Sequence, residues 1–169
     1  MTLNELIDPI LLQEMIDKKY IDVRVHPDDP GLLIYNYSKS AQYERVWNEA
    51  TEICRGLIVK DGEVVARPFR KFYNLGEVET IPDGPFRAVE KEDGVLGIGY
   101  MAPDGLPAIA SRGSFVSDYA KWATEFIRKD QRMMDYIAVR QTLGVTPLFE
   151  IIYPASRIVL DYGGLEDLI

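Results

Sequence analysis

The sequence holds one cysteine, Cys54, and one histidine, His26. A lone thiol excludes a disulfide within the chain and fits a reducing interior; Cys54 itself reads as a small buried hydrophobe. With so few ligands of these types, neither a Cys/His zinc site nor a Ser-His triad is expected. No apolar run approaches the ~20 residues that cross a bilayer. The opening MTLNELIDPILLQEMIDKK also lacks the basic n-region and small-residue cleavage site of a signal peptide. The expected compartment is the cytoplasm, with no membrane partner. Positive charge is in deficit too: 19 Lys and Arg face 27 Asp and Glu, for a net charge of −8. A protein that holds nucleic acid by bulk electrostatics needs the opposite balance.

That charge is unevenly spread. Residues 54–75 carry Arg55, Lys60, Arg67, Arg70 and Lys71 against Asp61 and Glu63, and these cations sit inside apolar strand patterns. A second basic cluster, Arg128, Lys129, Arg132 and Arg140, reads as a solvated face.

A chain of 169 residues suits one domain, spanning 1–169. The first segment, Asn4 to about Tyr20, has helical spacing, with the helix proper starting near Pro9 and Asp8 as its cap. A turn-rich connection at 26–31 leads into a strand at Leu32–Tyr37, and residues 40–52 read as helix. Ile53–Lys60 and Glu63–Pro68 read as strands joined by a two-residue turn at Asp61-Gly62. Phe86–Lys91 and Val95–Met101 flank Asp93-Gly94, and Asp104-Gly105 leads into Ala108–Ser111, so that an antiparallel meander is expected. A long helix is expected from Ser117 to Leu143, ended by Gly144, with β-rich runs at Leu148–Tyr153 and Arg157–Tyr162. Strands and helices segregate rather than alternate. The fold class is therefore α+β, with mainly antiparallel sheets and flanking helices, and not a doubly wound sheet. An apolar pattern begins at Glu166-Asp167-Leu168-Ile169, so a further element is expected to follow.

Several short stretches could carry chemistry. In Lys91-Glu92-Asp93-Gly94, a lysine stands at a strand end before a tight turn, where its amine could be held in a cleft. Removing the proton from a free lysine amine at pH 7 costs roughly 4–5 kcal/mol from its reference pKa of ~10.4, so neighbouring cations, metal or desolvation must help if it is a nucleophile. The chain has four Asp-Gly pairs, three of them without a lysine two positions earlier; a plain solvated hairpin turn is the competing reading. Ser111-Arg112-Gly113-Ser114 combines small residues with one long cation, which suits approach to a phosphate or an RNA strand, or else a helix-entry turn. Glu150 lies within the apolar run Leu148–Tyr153, where a carboxylate should face a cleft or a cation, unless alternation puts it on a wet face. Arg55, at the head of an apolar strand, and Lys71, beside Phe72 and Tyr73, resemble cations delivered to a site with aromatic surface nearby.

Taken in order, Cys-Arg-Gly, Arg-Lys-Phe-Tyr-Asn-Leu, Lys-Glu-Asp-Gly, Ser-Arg-Gly-Ser, Phe-Glu and Arg-Ile-Val-Leu-Asp-Tyr resemble the covalent nucleotidyltransferases. Within that group the series is similar to the bacteriophage ATP-dependent RNA ligases that repair tRNA, over about Tyr35 to Tyr162. Lys-Phe-Tyr-Asn-Leu and Arg-Ile-Val-Leu belong to that branch rather than to DNA ligases or capping enzymes. The resemblance implies a nucleotidyltransferase (ATP-grasp-like ligase) fold, with Lys91 taking AMP from ATP and passing it to an RNA 5′-phosphate before a 3′-hydroxyl displaces it. It implies nucleotide contacts from Tyr35, Arg55, Lys71, Glu92 and Glu150, a phosphate or RNA contact from Arg112, where this branch often has lysine, and Mg²⁺ held in part by Glu150. The branch's acidic metal motif and Lys-x-Lys pair lie downstream of Phe-Glu and do not occur in this chain. The resemblance thus implies an incomplete domain: a piece of a longer protein, one half of a two-chain enzyme, or a degenerate remnant that binds nucleotide or RNA ends without transfer. By this reasoning the chain alone is expected to react poorly or not at all with ATP.

Overall fold

A computed structural model describes residues 1–74, 76–77, 83–153 and 159–169. Its two four-stranded sheets are antiparallel throughout. The first sheet has the order β1 (Ile21–His26), β2 (Asp29–Tyr37), β3 (Arg55–Lys60), β4 (Glu63–Ala66). The second has the order β6 (Pro107–Ser111), β5 (Val95–Met101), β7 (Leu148–Ile152), β8 (Asp167–Leu168). The α+β expectation with antiparallel pairing therefore holds.

Side-chain alternation divides the core into three apolar layers. On the first sheet Leu32, Ile34 and Ile58 point toward Ile98, Tyr100 and Ala110 of the second, and form the layer between the sheets. The opposite face of that sheet, with Tyr35, Leu57 and Val59, packs under α1 (Leu3–Leu6), α2 (Pro9–Asp17) and α4 (Glu49–Ile53). The outer face of the second sheet, with Ile109 and Ile151, packs under α5 (Asp118–Ile127) and α6 (Gln131–Thr142). The order is helices, sheet, sheet, helices.

Local chemistry explains most boundaries. Asp8 caps α2 by accepting from the Ile10 and Leu11 amides, and Pro9 occupies its first turn. Asp61 and Gly62 both have positive φ, 50° and 86°, the geometry of a two-residue hairpin loop. The segment expected as helix over 40–52 is two short helices, α3 (Lys39–Glu44) and α4, because Arg45 takes a left-handed conformation and Asn48 starts a fresh capping box with Thr51. The long helix expected over 117–143 is likewise two: α5 begins at the Ser117 cap and α6 at the Asp130 cap.

One expected strand is absent, and the described part of another is not a strand. Residues 86–91 pair with nothing in a ladder, and Phe86 and Val89 are 92% and 71% exposed. The reason is topological. Both edges of β5 are taken, one by β6 and the other by β7, so no hairpin partner can dock across Asp93-Gly94. Of the run 157–162, residues 157 and 158 lie outside the described residues, and Val159–Tyr162 form no strand. Conversely, β1 was not anticipated, although Ile21, Val23 and Val25 alternate with Asp22, Arg24 and His26 as a half-buried strand should.

Cys54 is fully buried, and burial pushes its thiol up from an ordinary 9.0 to about 12. A thiol-reactive chromophore should therefore leave Cys54 unmodified in native protein and titrate one thiol after urea unfolding. An unfolded chain loses this proton near pH 9.0 whereas the folded one retains it to about 12, so stability should fall as pH rises through that window.

Candidate active site

A cleft of about 1080 Å³ opens where the two sheets diverge, and Arg24, Asn36, Arg55, Lys91, Glu92, Arg112 and Glu150 all line it. The aromatic rings of Phe69, Phe72 and Phe149 complete its walls.

Arg55 reaches this cleft through a bulge. Leu57 and Val59 face the helix-covered side, so simple alternation would send Arg55 there too. Instead Tyr35 pairs with Leu57 and Asn36 with Arg55, leaving Gly56 as the extra residue at φ +88°. The bulge turns Arg55 to the inner face. A β-carbon at Gly56 would come 2.4 Å from the Ile98 Cδ1, so glycine is required for both space and conformation. The Arg55 guanidinium lies 4.7 Å from the Phe72 ring centroid and donates to the Phe69 carbonyl at 3.4 Å. Burial lowers its pKa, and the nearby Arg112 adds to the effect, while the Tyr37 hydroxyl and Glu150 oppose it. Arg112 donates to the Tyr37 hydroxyl at 2.9 Å and stacks 4.8 Å from that ring.

The segment bearing Phe69 and Phe72 is held by Glu52 of α4. That carboxylate pairs with Arg70 and accepts from the Tyr73 hydroxyl at 2.6 Å, and the Glu52 carbonyl accepts from the Lys71 amide at 2.7 Å. A single residue, Glu52, thus ties this segment through both its carboxylate and its backbone carbonyl.

The turn at 91–94 is tied from two sides. Glu150 on β7 accepts from the Gly94 amide at 2.9 Å. Tyr162 accepts from the Asp93 amide at 2.7 Å while its hydroxyl donates to Glu92 at 2.9 Å. The Asp93 carboxylate accepts from the Leu160 and Val159 amides, each at 2.7 Å, and these bonds hold it below the usual carboxylate range. Asp93 and Tyr162 thus act as positioning groups for the loop. Lys91 itself is exposed on the cleft wall, its amine donating to the Glu92 carbonyl at 3.1 Å.

Of the residues singled out in the sequence, Lys91, Glu92, Arg55, Arg112 and Glu150 meet in this cleft; Tyr35 and Lys71 do not line it. Tyr35 points the other way, into the layer under the helices, because it alternates with Ile34 and Asn36. The amine of Lys71 sits 4.1 Å from the Tyr73 ring and 5.2 Å from that of Trp47 and donates to the Phe72 carbonyl, so from this segment Phe72 and not Lys71 lines the wall. Arg24 and Asn36 are additions. Strand alternation in β1 would have found Arg24, and one step along Tyr35-Asn36-Tyr37 would have found Asn36, whose Oδ1 is buried in the cleft wall without a partner.

Among the described residues no group of three or more His, Cys, Asp or Glu is arranged to hold a metal ion. Mg²⁺ needs no such cage: it is commonly bound by one or two carboxylates together with substrate phosphates. Glu150, whose carboxylate lies among arginines in the cleft, fits that minimal donor set.

The model of a family described as RNA ligase matches residues 53–169. A protein of Thermovibrio ammonificans named "Putative RNA ligase" is 32% identical over 117 residues, which is 65% of this chain and 30% of that protein. The match thus spans less than a third of that relative's length.

Proposed function

Because the chain belongs to the bacteriophage-type RNA ligase family, we propose that it joins RNA ends by way of AMP carried covalently on Lys91. The Lys91 nitrogen, after giving up a proton to solvent, attacks the α-phosphorus of ATP. The bond to the bridging oxygen of the β-phosphate breaks, and pyrophosphate leaves. An RNA 5′-phosphate oxygen then takes the adenylyl group, breaking the P–N bond. Finally an RNA 3′-hydroxyl attacks the activated 5′-phosphorus, loses its proton and expels AMP. One difficult joining thus becomes three transfers.

The single observation supporting this reading is the shared cleft: Lys91 lies on the same wall as Glu150 and faces a space lined by Arg24, Arg55 and Arg112. Those guanidiniums suit the triphosphate and the charge that develops on it. Phe72, under Arg55, offers a stacking face to the adenine, and Asn36 an amide to its edge. Glu150 has two roles, positioning the turn through the Gly94 amide and, with the phosphates, holding Mg²⁺. Bound there, the ion would neutralise phosphate charge.

Intact mass after prolonged incubation with ATP and Mg²⁺ tests the proposal: a gain of one AMP on a fraction of the chains, absent with GTP, is the expected result. Reversible ATP binding by calorimetry with no mass gain would replace it with a non-catalytic nucleotide-binding module. Sealing of nicked RNA in preference to nicked DNA checks the substrate. Glu150→Gln should separate the two roles of that side chain, since the amide oxygen still accepts from Gly94 but carries no charge. Native unfolding should be retained, and the Mg²⁺ concentration for half-maximal adenylylation should rise about tenfold, the scale of losing one charge-assisted contact.

A further inference from the structure

Behind the cleft wall stands a tyrosine that the chemistry above does not use. Tyr37 is the last residue of β2, does not line the cleft and is only 5% exposed. It is held at three points. Its amide donates to the Cys54 carbonyl at 2.6 Å, its carbonyl accepts from the Asn36 side-chain amide at 2.8 Å, and the Trp47 ring packs edge to face against it with centroids 5.1 Å apart. The phenol oxygen is therefore a fixed point, and Arg112 Nη1 donates to it at 2.9 Å.

Arg112 gains from such a point. Its backbone is already set, because the Ser111 amide and hydroxyl both donate to the Ser114 carbonyl, at 2.9 and 3.1 Å. What remains free is a long side chain that loses rotamer freedom when it grips a ligand. Arg55 lies close enough for the two like charges to oppose each other. The Tyr37 bond, with the ring centroid 4.8 Å from the guanidinium carbon, orders the side chain before any ligand arrives. The choice of partner matters. A carboxylate would cancel the guanidinium charge, whereas a neutral hydroxyl orients the group and leaves its charge for the cleft. The bond also engages Nη1 alone. Among the described residues Arg112 has no other side-chain hydrogen bond and no ion pair, so the edge formed by Nε and Nη2 is open to an oxyanion in bidentate fashion.

We propose that Tyr37 is a positioning residue for phosphate binding: through its hydroxyl it aims the Nε–Nη2 edge of Arg112 at a phosphate of the bound nucleotide. This rests on the reading of the cleft as an ATP site and adds to that site a residue outside its walls.

Calorimetric titration with ATP in the absence of Mg²⁺ reads binding without turnover. The full chain, Tyr37→Phe, Arg112→Ala and the double variant form a cycle. Tyr37→Phe removes only the hydroxyl and keeps the ring against Trp47. The expected result is ATP binding about three- to tenfold weaker in Tyr37→Phe, the worth of one hydrogen bond, with no further loss when the same change is made in Arg112→Ala. A tyrosine with a merely structural role would weaken binding equally in both backgrounds, and that result overturns the proposal. Unchanged affinity in Tyr37→Phe beside a loss in Arg112→Ala also overturns it, and leaves the ATP site standing. No ATP binding by the unsubstituted chain, or full affinity in Arg112→Ala, overturns the proposal together with the reading of the cleft on which it rests.

Discussion

Replacing Lys91 with alanine or with arginine should reduce covalent AMP uptake to background while leaving thermal unfolding unchanged. The first half follows from chemistry. Alanine has no nucleophile, and a guanidinium retains its proton in proteins, so arginine preserves the charge and loses the reaction. The second half follows from geometry. Lys91 is exposed and its hydrogen bond goes to the neighbouring Glu92 carbonyl, with no core contact to lose, and surface changes of this kind stay within about 0.5 kcal/mol. Labelling with α-labelled ATP, read on a denaturing gel beside a melting curve, checks both halves. A labelled band that survives in either variant would place the nucleophile elsewhere.

Gly94→Ala should damage folding and chemistry together. A β-carbon at Gly94 would fall 2.4 Å from the Ile151 carbonyl oxygen and 3.0 Å from the Glu150 Cγ. The first contact is backbone at the end of the β5–β7 ladder and cannot swing aside. The β5–β7 pairing must open at Val95 and Ile151, and the Lys91 turn moves with it. Overpacking of this kind costs about 1–3 kcal/mol, and a displacement of about 1 Å at a reacting group can cost 10²-fold in rate. Urea unfolding should show the first and single-turnover adenylylation the second. Gly113→Ala is the matched control: its added methyl would meet Asn36 at no less than 3.6 Å, an ordinary contact, so the fold should tolerate it. Equal behaviour of the two variants would refute the account of Gly94.

How much of this could be read from residues alone depends on the range of the interaction responsible. Asp8-Pro9, Asp61-Gly62 and the Ser117 cap act over two or three positions, and the elements they start or join occur where the sequence placed them. Phe86–Lys91 failed for a long-range reason: β7, more than fifty residues later, occupies the edge of β5 that a hairpin would have used. The cleft divides along the same line. Arg55, Lys91, Glu92, Arg112 and Glu150 come together as their order suggested. Tyr35 faces away from the cleft because a strand presents alternate residues to opposite faces, and the choice among Tyr35, Asn36 and Tyr37 depends on which face the α2 helix covers. Arg24 was overlooked because its strand went unrecognised. Neither Tyr162 holding Glu92 nor Glu52 holding the aromatic wall has any local signature; both are pairings between distant parts of the chain.

The extra residue in β3 gives the site an unusual sensitivity. Most point changes around Arg55 alter one contact at a time, but a residue at 56 that cannot hold φ +88° would close the bulge and restore strict in-and-out order along that strand. The guanidinium would then rotate by half a turn into the greasy layer beneath α2 and α4, and Cys54 would be driven toward the space it vacated.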